Sequence, residues 1–329
     1  MGILVTNTLD EIKAPVEREL SSFNAFFKQA MRSNVTLVDT IARYIVKQKG
    51  KRIRPIVVFL AAKACGTIND STYRGATLVE ILHTATLVHD DVVDDSDMRR
   101  GLASIKAVWK NKVAVLMGDY LLSTGLMISL KHNDVYFLKT VSDSVRRMSE
   151  GEILQIQKSR ELDIDEATYL TIISNKTASL LSTCSEIGAA SATEDPAQRK
   201  LMRDFGENVG MAFQIRDDIL DFTSRKSILG KPIGGDVKEK KITLPLIHAL
   251  QQTSKQESKK VLKMIKNGTK GNDVEYVVDF VRQNGGIQYA EQRALEFGNA
   301  ARECLKPFPE TDARRSLELF IDFVMEREK

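Results

Sequence analysis

The sequence predicts an all-α protein folded as one large helical bundle. Three observations point there. Apolar residues recur at helix-face spacing along nearly the whole chain, strict two-residue alternation is almost absent, and no Pro/Gly/Ser-rich linker breaks the pattern. The 329 residues amount to about twice an ordinary domain. No internal boundary shows, so residues 1–329 are expected to form a single domain with at least ten helices.

Each element has its own signal. Val35, Val38, Ile41, Ala42 and Ile45 line one stripe that stops before Gly50. Pro55 opens PIVVFLAAKAC, apolar nearly all round and followed by Gly66, as suits a helix in the middle of a bundle. Ser71 is placed to cap the segment running through LVEILHTATLVHDDVVDD. Asp163 with Glu166 resembles a capping box before ATYLTIISNKTASLLSTC. Asp195-Pro196 offers a cap and a first-turn proline to a helix ending near Phe222. Asn272 with Glu275 starts another, stopped by Gly285-Gly286, and Thr311 caps the last. Residues 224–241, SRKSILGKPIGGDVKEKK, are the longest candidate loop.

Composition narrows the class of function. With 48 Lys+Arg against 44 Asp+Glu, the net charge of +4 is too small to argue for nucleic acid. A 43% hydrophobic and 28% charged chain excludes disordered and collagen-like proteins. Cys65, Cys184 and Cys304 lie far apart without a Cys-x-x-Cys, which fits a reducing compartment better than a disulfide framework or thiolate zinc site. The N-terminus meets acidic residues early and lacks the apolar core of a secretory signal. The longest apolar runs, such as PIVVFLAA, fall short of the ~20 residues a bilayer requires. A cytoplasmic protein without a transmembrane segment is expected.

Two acidic clusters stand out, Asp90-Asp91-Val92-Val93-Asp94 and Asp217-Asp218-Ile219-Leu220-Asp221. At 100° per residue, aspartates four apart lie within about 40° of one another on a helix. Like charges so placed destabilise a helix by a few tenths of a kcal/mol per pair. Both clusters also lie late in their helices, where the dipole disfavours anions. Something positive must offset this, and Mg²⁺ combines carboxylates with substrate phosphates and water. A solvated acidic face explains one such cluster but not two copies embedded in apolar helices. His83 stands two turns, about 10 Å, before Asp90 on the same stripe. Gln214, Asp217, Asp218 and Asp221 share one helix face.

Basic groups complement the acids. Gly50-Lys51-Arg52-Ile53-Arg54-Pro55 brings three cations to the start of the buried helix, a suitable place for a diphosphate. Arg99 and Arg100 follow the first cluster; they either pair with Asp95 and Asp97 or reach phosphate oxygens bidentately. Lys176 and Thr177 sit within an apolar segment, so the lysine either snorkels outward or turns into a polar cleft. Lys226, Lys231, Lys238, Lys240 and Lys241 follow the second cluster, and spacing does not choose among them.

GKRIRP, LVEILHTATLVHDDVVDDSDMRRG, GDYLLS, EGEILQ, NKTASLL, GMAFQIRDDILDF, LGKPIGGD and TLPLI occur in one order across nearly the whole chain. In these motifs the sequence resembles the all-trans polyprenyl diphosphate synthases, and HTATLVHDDVVDDSDMRRG is most similar to long-chain members such as octaprenyl and heptaprenyl synthases serving quinone side chains. The resemblance implies the isoprenoid synthase type I fold, a helical bundle around a central cavity, with three Mg²⁺ ions and a homodimer. It implies that Asp90, Asp91, Asp94, Asp217, Asp218 and Asp221 hold the metals on an allylic diphosphate such as farnesyl diphosphate. Arg99, Lys176, Thr177, Gln214 and Lys231 would surround that diphosphate, while Lys51, Arg54, His83 and Arg100 would bind isopentenyl diphosphate. Arg52 is a further neighbour; Glu150, Glu152 and Gln155 carry no assigned role.

Where relatives often read Glu-Gly-Lys-Pro-Thr-Leu-Pro, this chain reads Glu239-Lys240-Lys241-Ile242-Thr243-Leu244-Pro245, and Gly234-Gly235-Asp236 replaces a common Gly-Asp-Asp. In the family that the sequence resembles, bulky residues just before the first cluster stop the tail early, so by this resemblance the small Ala85 and Thr86 imply a long product, with Leu82, Leu78 or Met127 as candidate floor. A class I terpene synthase needs no isopentenyl diphosphate site, and a regulatory subunit has no need of all six aspartates. A short-chain, geranylgeranyl-type synthase is the alternative within the family. Release of a long product implies a transient membrane contact.

Overall fold

The computed structural model describes residues 8–48, 50–223, 234–268 and 272–326. The chain opens with α1 (Thr8–Lys13), a 3₁₀ turn (Ala14–Val16), α2 (Glu17–Ala30) and α3 (Thr36–Lys47). Next come α4 (Ile53–Cys65), α5 (Asp70–Val93), α6 (Ile105–Lys131) and α7 (Val135–Glu161). A helix of three parts follows: α8 (Glu166–Ile173), a wide π-turn (Ser174–Ala178) and α9 (Ser179–Ala192). The rest is α10 (Pro196–Thr223), the one-turn α11 (Gly235–Lys238), α12 (Leu244–Gln251), α13 (Lys255–Lys266), α14 (Asp273–Gln283), α15 (Gly286–Leu305) and α16 (Asp312–Met325).

Sequence explains the packing. α4, apolar all round, buries Pro55 through Ala62 and lies among α5, α9 and α16. Its start differs from expectation: the helix begins at Ile53, which places Arg54 inside the first turn rather than in the preceding loop. Two apolar cores result. Met202, Phe205, Val209 and Ala212 of α10 enter the first, whereas Met211, Ile215, Ile219 and Phe222 enter the second. One long helix thus carries the second acidic cluster from one core into the other.

Several caps shift from their expected places. Asn69, not Ser71, caps α5, its Oδ1 accepting from the backbone of Ser71 and Thr72. Asp165, not Asp163, caps α8 by accepting from Thr168. Asn272 makes no side-chain cap, while Asp195 and Thr311 cap as expected. A short antiparallel hairpin, Met98–Arg99 with Leu102–Ala103, is an exception to the all-helical pattern. Arg100 and Gly101 at its tip both have positive φ, 51° and 78°, the conformation that two-residue hairpin turns favour.

By length and composition α6 matches a bilayer-crossing helix, with an 18-residue window of mean hydropathy 1.6. Runs of apolar residues alone do not reveal this, because Asp119 and polar residues interrupt them. One face of α6, with Ala114, Met117 and Leu121, packs into the first core beside α5. The opposite face exposes Leu116, Met127 and Leu130.

Candidate active site

α5 brings His83, Thr86 and Asp90 to one wall of a cavity of about 540 Å³, and Arg54 of α4 joins them. Leu122 of α6, with Val145, Met148 and Glu152 of α7, forms another wall, and Lys176, Thr177 and Leu180 line a third. The helical register that sets His83 two turns behind Asp90 therefore does put both on one cavity.

Asp90 reaches solvent at the cavity mouth, yet protein surrounds it on most sides. That burial, followed by the charges of Glu152 and Asp94, pushes its carboxyl up to about 6, with Lys176 and Arg99 opposing. Asp91 points elsewhere: it is 2% exposed and accepts from Arg99 Nε at 2.8 Å and from Arg99 Nη2. Arg99 thus pairs with Asp91, whereas Asp95 and Asp97 pair with Lys106. Asp94, the C-cap of α5, is exposed.

The second cluster stands against a smaller cavity of about 110 Å³ lined by Tyr169, Lys176, Thr177, Gln214, Asp218, Asp236 and Lys241, among others. Thr177 donates to Gln214 Oε1 at 2.8 Å, Gln214 Nε2 donates to Asp218 Oδ1 at 2.8 Å, and the Tyr169 hydroxyl donates to Asp218 Oδ2 at 2.6 Å. Burial raises the Asp218 carboxyl despite these donors, and Asp236 adds to the rise. Asp236 is itself raised, by burial and then Asp221. Asp221 accepts from the backbone N–H of Gly235 and Asp236, which folds the Gly234-Gly235-Asp236 segment back onto the cluster. Lys241 feels both Asp236 and Asp94, so it stands between the two acidic clusters. Asp217 lies half-buried on the same helix. Lys226 and Lys231 fall outside the described residues.

Lys176 and Thr177 line both cavities and lie in the wide turn between α8 and α9. Lys176 is turned into the cleft rather than snorkelling outward, and it meets Glu152 at 2.5 Å and Gln155 at 3.3 Å. These two acceptors from EGEILQ receive a structural role that spacing did not supply. Glu150 pairs instead with Arg146 on the surface.

The basic pocket lies behind His83. Arg54 Nε is enclosed without a hydrogen-bond partner among the described residues, and so is Glu80 Oε2. Burial lowers Arg54, with Glu80 acting against it and Arg100 with it. Burial and the nearby Arg54, Arg100 and Arg99 hold His83 well below the usual histidine range, so it is a neutral imidazole near pH 7. Lys51 is exposed above the Phe323 ring, 5.5 Å from its centroid. Arg52, at φ 50°, forms the N-cap of α4. Glu80 was missed from sequence; the only signal was an acid in an otherwise apolar helix, one turn before His83. It is expected to balance the guanidiniums. Glu80→Gln should cost about 3 kcal/mol in denaturant unfolding, the scale of breaking a buried charge cluster. A loss below about 0.5 kcal/mol would mean that solvent balances them instead.

Residues 35–281 match the family described as Polyprenyl synthetase. The chain belongs to that family. Among relatives of this polyprenyl synthetase is an all-trans-nonaprenyl-diphosphate synthase (geranyl-diphosphate specific) of Rhodobacter capsulatus, 39% identical over 93% of this chain and 94% of the relative. The octaprenyl diphosphate synthase of Escherichia coli is 33% identical over 98% of this chain and 99% of its own. A polyprenyl synthase from Caulobacter crescentus, crystallised with calcium and isoprenyl diphosphate, superposes with a TM-score of 0.89 at 33% identity, covering 98% of both chains. The all-helical isoprenoid synthase fold is thereby shared.

In this polyprenyl synthetase Thr86 lines the large cavity and donates its hydroxyl to His83 O at 2.9 Å. Ala85, Leu82 and Leu78 are buried in the first core instead, at 0%, 2% and 2% exposure. Met127 is 49% exposed on the outer face of α6, which removes it as a cavity floor. Leu122, Val145 and Met148 line the cavity instead.

Proposed function

We propose that this polyprenyl synthetase is a long-chain all-trans polyprenyl diphosphate synthase acting as one domain over residues 1–329. One observation carries the reading: Arg54, His83, Asp90, Lys176 and Thr177 line the same cavity as Leu122, Val145 and Met148. Charged groups suited to two diphosphates thus open directly onto an apolar space suited to a growing hydrocarbon. Carboxylates raised by burial and by neighbouring acids, beside a lysine and several hydrogen-bond donors, fit hard divalent cations. Asp90, Asp91, Asp94, Asp217, Asp218 and Asp221 would hold three Mg²⁺ ions, whose charge neutralises the leaving diphosphate. Asp91 would join them on exchanging its Arg99 partner.

Lys176, Thr177 and Gln214, with Arg99 and Lys231, orient the allylic diphosphate. Its C–O bond breaks, and the electron pair leaves with the diphosphate. Arg54, Arg100, Lys51 and neutral His83 hold isopentenyl diphosphate so that its double bond faces the allylic carbon. The new C–C bond forms, a proton is lost to the released pyrophosphate, and an alkene is restored. The lengthened tail moves toward Leu122 and Met148.

The test uses purified protein, Mg²⁺, labelled isopentenyl diphosphate and farnesyl diphosphate, with dephosphorylated products sized by chromatography. A ladder ending in the heptaprenyl-to-octaprenyl range supports the reading. Products stopping at geranylgeranyl move it to the short-chain alternative, and no incorporation moves it to a regulatory subunit.

The raised carboxyls predict a pH effect. A carboxyl with a folded pKa above its unfolded value near 3.9 holds its proton more tightly when folded, so its contribution falls as pH rises through the folded value. For Asp90 the window runs from about pH 4 to about pH 6. His83, held low, acts in the opposite sense below about pH 6.5. The effect is therefore read as a difference: Asp90→Asn should lose less melting temperature across that window than metal-free wild type. Parallel curves would refute it.

A homodimer and a cytoplasmic location complete the proposal. Val115, Leu116, Met127 and Leu130 expose 40%, 59%, 49% and 53% of their surface on α6, an apolar face that a second copy would cover. The free cysteines suit a reducing compartment. Leu116→Glu should shift the sedimentation of the wild-type dimer to that of a monomer; an unchanged profile places the interface elsewhere. Passage of a long apolar product to a membrane then calls for transient contact with it.

A further inference from the structure

A cluster outside both cavities stands behind the Lys176–Thr177 turn. Arg147 of α7 donates to Glu207 Oε1 at 2.6 Å and Oε2 at 3.2 Å, joining α7 to α10. The same guanidinium donates to Ser174 Oγ at 2.9 Å, to the Ser174 carbonyl at 3.3 Å and to Asn175 Oδ1 at 3.1 Å. The Ser174 hydroxyl in turn donates to Glu207 Oε1 at 2.5 Å. Among the described residues, neither Arg147 nor Glu207 lines either of these two cavities.

What they grip is an unusual piece of backbone. The Ser179 N–H bonds back to Ser174 O, five residues away, so the helix is widened here and the usual ladder is interrupted. The Asn175 carbonyl accepts from Ser179 Oγ at 2.6 Å, and the Ser174 carbonyl gains Arg147 as a second donor. In a regular helix consecutive side chains diverge by about 100°. Here Lys176 and Thr177, though adjacent, both line the two cavities. Neighbouring helices come unusually close to the turn: a Cβ at Gly151 would lie 2.9 Å from Lys176 N, and one at Gly210 would lie 2.4 Å from Ala178 Cα. A π-turn is rarer than the α-helical alternative and persists where surrounding groups hold it.

We propose that Arg147 and Glu207 are positioning residues that hold the Ser174–Ala178 turn open, so that Lys176 and Thr177 together face the allylic diphosphate. This rests on the assignment of those two residues to that substrate. The bidentate, charge-assisted pair fixes the clamp's direction as well as its strength. Pre-formed geometry, rather than a new contact with substrate, is what it supplies.

The test uses the full chain with Arg147→Met, Arg147→Lys and Glu207→Gln. Binding of an unreactive allylic thiodiphosphate and of isopentenyl diphosphate is measured by calorimetry, and both KM values by product formation. Arg147→Met and Glu207→Gln should weaken allylic binding about tenfold while isopentenyl diphosphate binding stays within about twofold. Arg147→Lys, which keeps the charge but loses the planar fork, should recover part of the loss. If Arg147→Met does not fold, Glu207→Gln and Arg147→Lys carry the same split. Equal weakening of both substrates, or none of either, overturns the clamp. Wild-type protein that binds neither diphosphate overturns the functional assignment and the clamp with it.

Discussion

Asp90→Ala should lower the condensation rate by about 10²–10³-fold, the scale of removing one group that stabilises charge developing in a transition state. Asp90 is the member of the first cluster that lines the large cavity, and its raised carboxyl sits beside Glu152 and Lys176. The conservative Asp90→Asn keeps the shape and removes the charge, so it should lose nearly as much. Isopentenyl diphosphate binding should persist, because Arg54, His83 and Arg100 do not depend on Asp90. Rates are measured by incorporation of labelled isopentenyl diphosphate with Mg²⁺ saturating. Asp91→Asn offers an internal comparison: Asp91 is buried against Arg99, so its loss should also disturb the hairpin that follows. A rate within about threefold of wild type for Asp90→Ala would remove this carboxylate from the chemistry.

The second large effect concerns product length. Thr86→Phe should shorten the longest product from farnesyl diphosphate to the geranylgeranyl class while leaving the first condensation intact. Thr86 lies on the cavity wall between His83 and Asp90, facing the space that Leu122, Val145 and Met148 enclose. Interiors are close-packed, so an aromatic ring placed there takes space a tail would otherwise fill. Ala85 sits beside it in sequence but is fully enclosed by the first core. A phenylalanine at position 85 should instead overpack that core and destabilise the fold by about 1–3 kcal/mol. Product sizing together with thermal melting separates the two. Full-length product from Thr86→Phe would show that the tail takes another path.

Most of the fold was readable because helical periodicity is local and repeats many times. The apolar stripes, the all-round apolar α4 and the caps at Asp195 and Thr311 each depend on residues within a turn or two. Shifts such as Asn69 for Ser71 arise where two capping residues stand close together and only backbone direction chooses. The hairpin at Met98–Ala103 was not legible, since two residues per strand are too few to show alternation.

The acidic clusters and GKRIRP pointed from sequence alone to divalent cations with a polyphosphate, because like charges spaced along a helix face demand a counter-charge wherever the helix lies; prenyl transfer itself was legible only through the family resemblance. Pairing between distant segments was a different matter. Nothing in the sequence says that Arg99 turns to Asp91, that Tyr169 meets Asp218, or that Arg147 reaches Glu207 across 60 positions. Nor does it separate Thr86, on the cavity, from Ala85, in the core, since neighbouring residues on a helix differ only by which partner helix each one faces. The sequence by itself determined the helices, the two acidic clusters and the cations that answer them. Tertiary structure alone decided which of those groups share a cavity, because that depends on how the helices pack and on one widened turn at Ser174–Ala178.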